Sequence, residues 1–322
     1  MKRLGLIAGI ALVVMVAGAL YMGSLYLGAA TIKQETSFII PDGASVTSVA
    51  RDLEEQGHIA SADGFIMNAR LFGSSEPIKA GEFELKPEMS QGDILALFQS
   101  GDVVRRFVTI PEGMPSILVA ERLMAEEFLT GEVDVPLEGS VLPDTYSYVR
   151  GQSRASLVEQ MQAAMDEYLA EAWANRKPDI AVDTLKEALI LASIVEKETG
   201  KPSERRMIAG LYSNRLKTGM MLQADPTIIY PITQGKPLGR RIRQSEIASV
   251  NGYNTYTRTG LPEGPITNPG RESIAAVLNP EATDALFMVA DGTGGHEFNT
   301  TISGHQEAVE RWYQLRRERG EM

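Results

Sequence analysis

The chain has 322 residues, of which 43% are hydrophobic and 23% are charged, a composition typical of folded proteins. Its 42 acidic residues outnumber 31 basic ones, and this net charge of −11 argues against binding to the phosphate backbone of nucleic acids. The sequence has no Cys and three His, which excludes disulfides, thiolate nucleophiles and Cys-ligated metal sites. Three His leave little for a metal site. At about 100–200 residues per domain, the length predicts at least two domains.

The N-terminal segment, residues 1–32, is predicted as a single transmembrane helix with a short cytoplasmic tip. Lys2 and Arg3 are followed by no charged residue before Lys33, and a helix needs about 20 apolar residues to cross a bilayer. The positive-inside rule then predicts a cell (inner) membrane protein whose bulk lies outside the cytoplasm. A cleaved signal peptide, with Ala17–Ala19 as the cleavage site, is the alternative. Both interpretations place the remaining chain outside the cytoplasm.

Residues 33–110 are predicted to form a small α+β module of strand–helix–helix–strand type. Ser45 is a candidate N-cap for the first helix, Ser61–Leu71 a second helix and Gly81–Leu85 a strand. Ser90 is predicted to begin a further helix that Gly101 ends. A weak repeat links this module to the next segment, since Ile-Pro-Asp-Gly at 40–43 recurs as Ile-Pro-Glu-Gly at 110–113.

The rest of the chain is predicted to be mixed α+β. Helices are expected over 153–175, 183–199 and 304–319, and a β-hairpin over 285–299. The segment 200–270 is rich in Pro, Gly, Tyr, Asn and Thr, which predicts loops.

Two carboxylates, Glu196 and Glu198, end the helix predicted over 183–199. That helix is apolar almost all round and is therefore predicted to be buried. Acidic residues are disfavoured at a helix C-terminus, and burial beside it would raise the pKa of a carboxyl, as a general acid requires. At about 100° per residue the two side chains lie about 200° apart, so one is free to act as the acid while the other pairs with a base. A solvated helix end remains the alternative, and the pattern does not choose between the two acids.

Polar and aromatic side chains recur between turn residues in the segment 200–270. They lie in Gln-Ala-Asp-Pro-Thr at 223–227 and Tyr-Asn-Thr-Tyr at 253–256. Tyrosines and amides on rigid loops can hold sugar rings by stacking and hydrogen bonding, although the same residues form ordinary turns.

Taken together, these blocks resemble the YceG-like family of endolytic murein transglycosylases. The resemblance extends over essentially the whole chain and is carried by Leu-Pro-Asp-Thr-Tyr (142–146), Ala-Ser-Ile-Val-Glu-Lys-Glu-Thr (192–199), Asn-Arg-Leu (214–216), Gln-Ala-Asp-Pro-Thr (223–227), Tyr-Asn-Thr-Tyr (253–256), Gly-Leu-Pro-Glu-Gly-Pro-Ile-Thr-Asn-Pro-Gly (260–270) and Gly295-His296-x-Phe298.

The resemblance implies a peptidoglycan lytic transglycosylase in which Glu198 is the catalytic acid and base. It implies a LysM-like glycan-binding module over 33–110, a connecting segment over 111–150 and a catalytic domain over 151–322. Peptidoglycan strands are the implied substrate, and cell-wall synthases the implied partners. Residues expected to line the substrate cleft are Asp225, Thr227, Tyr253, Asn254, Tyr256 and His296, with Glu196 and Gln223 in supporting roles.

Two other functions stay open at this point. One is a muramidase-type hydrolase that uses Glu198 and Asp225 as a carboxylate pair. The other is a non-catalytic, membrane-anchored scaffold that binds glycan. The resemblance favours the transglycosylase, in which the nucleophile comes from the substrate itself, so that one carboxylate suffices and no metal or cofactor is needed.

Overall fold

The computed structural model describes residues 2–28 and 30–321, so Met1, Ala29 and Met322, which belong to predicted segments, lie outside the described residues. The described chain mixes α-helices with three two-stranded sheets. It divides into two compact units. The first ends at Arg106 and includes Val149–Gly151, while the second comprises Phe107–Tyr148 and the chain from Gln152 onward. The sequence predicts a boundary at 110, whereas the first unit ends slightly earlier and takes in this later segment.

The first unit is a small α+β module on an N-terminal helix. Its elements are α1 (Lys2–Leu27), β1 (Thr36–Ile40), α2 (Val46–Glu55), α3 (Ala62–Phe72), β2 (Gly81–Leu85) and α4 (Gln91–Ser100). Strands β1 and β2 are antiparallel with Phe38 opposite Phe83. Both rings contact Phe98 of α4, with centroids 5.6 and 5.0 Å away, and form the centre of a buried core.

The predicted transmembrane anchor is not supported by the structure. Within residues 2–28 and 30–321, no helix combines the length and the apolar character that crossing a bilayer requires. The prediction relied on the absence of charge between Arg3 and Lys33, which is a weaker criterion, and α1 itself ends at Leu27, before that uncharged run ends.

The predicted caps Ser45, Ser90 and Gly101 are confirmed, and Ser61, predicted as the first residue of a helix, is the N-cap of that helix. Ser45, Ser61 and Ser90 each accept a hydrogen bond from the backbone N–H three residues later. Gly101 ends α4 in the left-handed conformation, with φ at 74°. Local side-chain chemistry therefore sets these helix ends before any tertiary contact is made.

The two copies of the Pro-Gly repeat form the same turn. Gly43 and Gly113 have φ of 74° and 70°, and in each copy the following N–H donates to the proline carbonyl, at 3.2 Å in both cases. The first turn leads into α2, and the second follows strand β3 (Arg105–Thr109) and leads into α5 (Ser116–Met124).

The remaining elements surround a mainly helical core. They are β4 (Thr145–Val149), α6 (Arg154–Ala174), α7 (Leu185–Glu198), α8 (Arg205–Lys217), α9 (Pro226–Thr233), α10 (Gln244–Ile247), α11 (Arg271–Leu278), β5 (Phe287–Ala290), β6 (His296–Asn299) and α12 (Ile302–Glu318). Strand β4 pairs with β3, and β5 with β6 as the predicted hairpin. Helix α7 packs against α6, α8 and α11, and all its residues from Ile190 to Val195 are buried. The predicted buried helix is thus confirmed.

The prediction of loops over 200–270 is wrong in part, because α8, α9 and α10 lie there. The Pro, Gly and Asn content of the whole segment hides the helical spacing of Ile208, Leu211 and Tyr212 in α8, all of which are buried against the core. Tertiary burial of that face stabilises a helix that composition alone does not reveal.

Candidate active site

Glu198 is the last residue of α7, where the helix leaves the core. A capping box formed by Thr184 and Glu187 fixes the other end of this helix, and Thr199 follows Glu198 in extended conformation. The Glu198 residue is partly exposed, but its Oε1 atom is buried and has no hydrogen-bond partner within the described part of the chain. A buried carboxyl oxygen without a partner is costly as a carboxylate and far less so as a neutral acid.

The surroundings of Glu198 raise its pKa to about 7. Burial is the largest cause, and the negative charge of Asp225 adds to it. The nearby Tyr212 hydroxyl and the positive charge of Arg215 act in the opposite direction and lower the pKa. At neutral pH a large fraction of Glu198 therefore carries the proton that a general acid must donate.

Glu196 has a different environment from Glu198. Its Oε2 accepts a hydrogen bond from the Gly270 N–H at 3.0 Å, and its Oε1 lies 3.9 Å from the guanidinium of Arg205. Arg205 in turn donates to Glu112 at 2.8 Å. The side chain is thus held by partners from α8 and from the N-terminus of α11, as expected for the acid that pairs with a base while the other remains free.

Helix α8 supplies two neighbours of Glu198 that the sequence analysis did not single out as site residues. Tyr212 is buried and Arg215 nearly so. Arg215 donates through Nε to the Leu286 carbonyl at 2.7 Å and through an NH1 hydrogen to the Leu222 carbonyl. Burial lowers the pKa of this guanidinium, yet the charge remains. The Asn-Arg-Leu block and the helical period of its apolar neighbours are the signals that could have found them.

Asp225 precedes α9 and faces the loop that carries Tyr256. The Tyr256 hydroxyl donates to Asp225 Oδ1 at 2.6 Å. Burial and this carboxylate raise the pKa of Tyr256 well above its usual range, so the hydroxyl stays protonated. Asp225 itself is exposed and close enough to Glu198 to influence its titration. The structure therefore brings Asp225 together with Tyr256 and places its charge near Glu198.

Thr227 and Asn254 stabilise the site loops from within. Thr227 is buried and donates to the Ala224 carbonyl at 2.6 Å, while its Oγ1 lies 2.9 Å from that of Thr255. The buried Asn254 amide donates to the carbonyls of Glu246, Ile247 and Ser249 and accepts from the Tyr256 N–H. The polar atoms of both side chains therefore form hydrogen bonds within the loops and do not face solvent.

The other predicted site residues are Gln223, Tyr253 and His296, and each has its own contacts. Gln223 is exposed with φ at 50°, and its N–H donates to the Thr255 carbonyl at 3.1 Å. Tyr253 packs on Tyr230 with ring centroids 4.9 Å apart. His296, on β6, contacts Glu204 Oε2 through Nδ1 at 2.8 Å, and the contacts described for it do not include Glu198.

The candidate site therefore combines a carboxyl of raised pKa at the end of a buried helix with an aspartate, tyrosines and amide-rich loops beside it. The YceG-like family model matches residues 38–311. An endolytic murein transglycosylase of Streptococcus pneumoniae is 31% identical over 83% of this chain and 56% of its own length, and one of Bacillus subtilis is 27% identical over 89% and 87%. The crystal structure of a YceG-like protein from Listeria monocytogenes, 27% identical, matches with a TM-score of 0.54 over 86% of this chain and 99% of that one.

The chain belongs to the YceG-like family. It spans a little over half the length of the streptococcal relatives, and most of the length of the Bacillus relative.

Proposed function

We propose that this protein is an endolytic murein transglycosylase that cuts the β-1,4 bond between N-acetylmuramic acid and N-acetylglucosamine within glycan strands. The observation that carries the proposal is the buried Glu198 carboxyl at the end of α7, with a pKa of about 7 and a partner-free Oε1. The relatives from Streptococcus pneumoniae and Bacillus subtilis, which are named endolytic murein transglycosylases, support it.

The proposed reaction needs one carboxyl group in two successive roles. Protonated Glu198 donates its proton to the glycosidic oxygen as the bond to the anomeric carbon breaks. The resulting carboxylate then accepts the proton of the C6 hydroxyl of the same muramoyl residue, whose oxygen bonds to that carbon. The product is a 1,6-anhydro end, and no water is consumed. A pKa near 7 suits both roles, because neither protonation state is strongly disfavoured at neutral pH.

The neighbours of Glu198 serve to tune and orient in this proposal. Arg215 and Tyr212 stabilise the carboxylate formed in the first step, while Asp225 holds the Tyr256 hydroxyl toward the cleft. Tyr253 supplies an aromatic face for a sugar ring. Asn254 and Thr227 were predicted to line the cleft, but both are buried, so in this proposal they keep the loops rigid and do not contact the substrate.

The proposal extends to place and partners. Peptidoglycan lies outside the cytoplasm, so the enzyme acts there. The small α+β unit would bind glycan as a LysM-like module, and association with cell-wall synthases would supply nascent strands. Two experiments test these points. The first measures binding of the purified first unit to isolated peptidoglycan, and the second asks whether the full chain co-purifies with cell-wall synthases.

The decisive experiment compares the Glu198→Gln variant with the parent on isolated peptidoglycan, followed by mass analysis of the products. We expect the parent to release anhydro-muramoyl ends and the variant to lose at least about 10³-fold in kcat, because Gln has no proton to donate. The exposed Glu171→Gln on α6 is the matched control and should retain full activity. Cleavage by Glu198→Gln at the parental rate refutes the assignment, and an inactive parent favours the scaffold.

A second candidate, hydrolysis by the Glu198–Asp225 pair, is favoured by the electrostatic proximity of the two carboxylates. Hydrolysis would give products heavier by one water than anhydro ends. Asp225→Asn separates the roles further: a water-activating or nucleophilic Asp225 predicts a loss of about 10³-fold or more, whereas an orienting one predicts a loss nearer tenfold. In both cases the pKa of Glu198 falls in the variant, because the negative charge that raises it is gone.

A further inference from the structure

A pocket of about 450 Å³ lies in the second unit beside the candidate acid. We call it the proline pocket, after the four prolines among its lining residues, and the residues that matter here are Pro115, Leu118, Lys197, Pro226, Tyr230 and Pro237. Glu198 does not line it. Its size lies in the range that binds small ligands, and its wall is largely apolar.

The proline pocket shares its elements with the catalytic candidates. Lys197 immediately precedes Glu198 on α7, and Pro226 immediately follows Asp225. Successive helical residues are rotated by about 100° and rise about 1.5 Å, so the pocket adjoins the acid but faces another direction. Tyr230 contacts Tyr253 of the predicted cleft. A substituent attached to the sugar at Glu198 could therefore enter the pocket.

A carboxyl that the proposed mechanism does not use joins two of the segments that line the pocket. It belongs to the half-buried Glu138. Its Oε1 accepts hydrogen bonds from the Ser116 N–H at 2.9 Å and, more weakly, from the Asn268 amide at 3.4 Å. Ser116 begins α5, which carries Leu118 of the lining, and Asn268 lies two residues after Ile266 of the lining.

Among the described residues that line the pocket, the Lys197 ammonium is the cation without a carboxylate partner. Lys236 pairs with Glu121 at 2.6 Å, and Glu112 pairs with Arg205 at 2.8 Å. The Lys197 ammonium makes one long hydrogen bond, 3.4 Å to the Gly113 carbonyl, and no carboxylate lies within 4 Å of it among the described residues. An ammonium with donors to spare at an apolar pocket suits a ligand with small apolar groups and a carboxylate.

Resting on the proposed function, we propose that the proline pocket binds the peptide stem carried by the lactyl group of the muramoyl residue. The methyl groups of the stem pack on the prolines and Leu118, and a stem carboxylate binds Lys197. The enzyme thereby distinguishes strands with stems from strands whose stems have been removed.

The test measures kinetics of the full chain on two substrates: glycan strands that carry stems, and the same strands stripped by an amidase. Lys197→Gln should raise KM about tenfold on stem-bearing strands with kcat unchanged, and should leave stripped strands unaffected. Leu118→Trp, which fills the pocket, should do the same. Lys186→Gln on the same helix and Ile302→Trp on α12, both exposed and outside the pocket lining, are the matched controls and should behave as the parent.

Calorimetric titration with an N-acetylmuramoyl pentapeptide keeps this proposal separable from the proposed function. We expect the parent to bind it more tightly than N-acetylmuramic acid, and Lys197→Gln to lose that preference. If the parent binds the muramoyl pentapeptide preferentially but cleaves neither kind of glycan strand, the proposed function is refuted and the pocket assignment is supported. Equal effects of both variants on stem-bearing and stripped strands, or binding indifferent to the peptide, would overturn the pocket assignment while leaving transglycosylation intact.

Discussion

At the scale of single residues, the protonation of Glu198 is decided by a competition between burial and three neighbours. Burial and Asp225 favour the neutral acid, while Tyr212 and Arg215 favour the carboxylate, and the pKa of about 7 shows that burial prevails. The residues that lower the pKa are those that stabilise the carboxylate after it has given up its proton. The same environment can therefore support both halves of an acid–base cycle.

The raised pKa makes the stability of the protein depend on pH. The unfolded Glu198 releases its proton near pH 4.5 and the folded one near 7, so this contribution is present below pH 4.5 and lost as pH rises to 7. Glu198→Gln removes the ionisation. Relative to the parent, we expect the unfolding free energy of the variant to be higher at pH 8 than at pH 4 by on the order of 3 kcal/mol. Denaturant melts at both pH values measure this, and a difference independent of pH would contradict the assignment.

The hydroxyl of Tyr212 is expected to set the alkaline limit of activity. This hydroxyl lowers the pKa of Glu198, so Tyr212→Phe should raise that pKa and move the fall in kcat/KM to higher pH, by roughly half a unit to one unit. Tyr146→Phe is the matched control, because it also removes a buried hydroxyl, one that donates to the Leu142 carbonyl at 2.6 Å. It should lower stability without moving the pH profile. If the pH profile of kcat/KM does not move in Tyr212→Phe, the Tyr212 hydroxyl does not influence the titration of Glu198.

The sequence could predict that one of the two acids is free, but not which. The difference lies in Arg205 and Gly270, which reach Glu196 from α8 and from the start of α11. Such partners are distant in sequence, and only the resemblance to a family selected Glu198. Asn254 shows another limit of prediction from sequence. Its side-chain amide is as well suited to binding a sugar as to binding the three backbone carbonyls to which it donates in the structure.

At the scale of elements, the sequence predicts those helices whose ends are fixed by local side chains. The helices predicted over 183–199 and 153–175 are α7 and α6, and in the structure a capping box of Thr184 and Glu187 begins the first and Ser153 caps the second. Helix α8 was missed because its N-cap, Glu204, makes no side-chain cap and is instead bound to His296 and Lys201. The stability of that helix comes from burial in the core, which the local pattern shows only weakly.

Helix α5 is capped from a distance, which gives a test of the wall of the proline pocket. Pro115 at its N-cap has no side-chain acceptor, and the Glu138 carboxylate takes that place at Ser116. Glu138→Ala should cost roughly 2–4 kcal/mol of unfolding free energy, because several buried donors lose their acceptor. Glu132→Ala, an exposed residue of the same loop, is the control and should change stability by less than about 0.5 kcal/mol. Equal effects of the two changes, measured in urea, would show that Glu138 does not hold the walls together.

At the scale of the whole molecule, the two compact units bury separate cores. Leu53 belongs to the core of the first unit and Leu191 to that of the second, and both are fully buried. Each unit is large enough to unfold as a cooperative domain. The division also explains why the small module could be predicted from sequence by itself, since its caps, strands and apolar faces lie within a stretch of about 75 residues, whereas the site of the second unit joins segments far apart in the chain.

Separate cores predict two thermal transitions that respond to different substitutions. Leu53→Ala and Leu191→Ala remove the same atoms from fully buried positions, and each should cost about 2–5 kcal/mol. In scanning calorimetry we expect Leu53→Ala to lower only the transition of the first unit, by about 10 °C, and Leu191→Ala only that of the second, by a smaller amount because the larger unit has the larger unfolding entropy. If either variant shifts both transitions together, the units unfold as one domain, and the glycan-binding and catalytic roles proposed for them cannot be assigned by separate destabilisation.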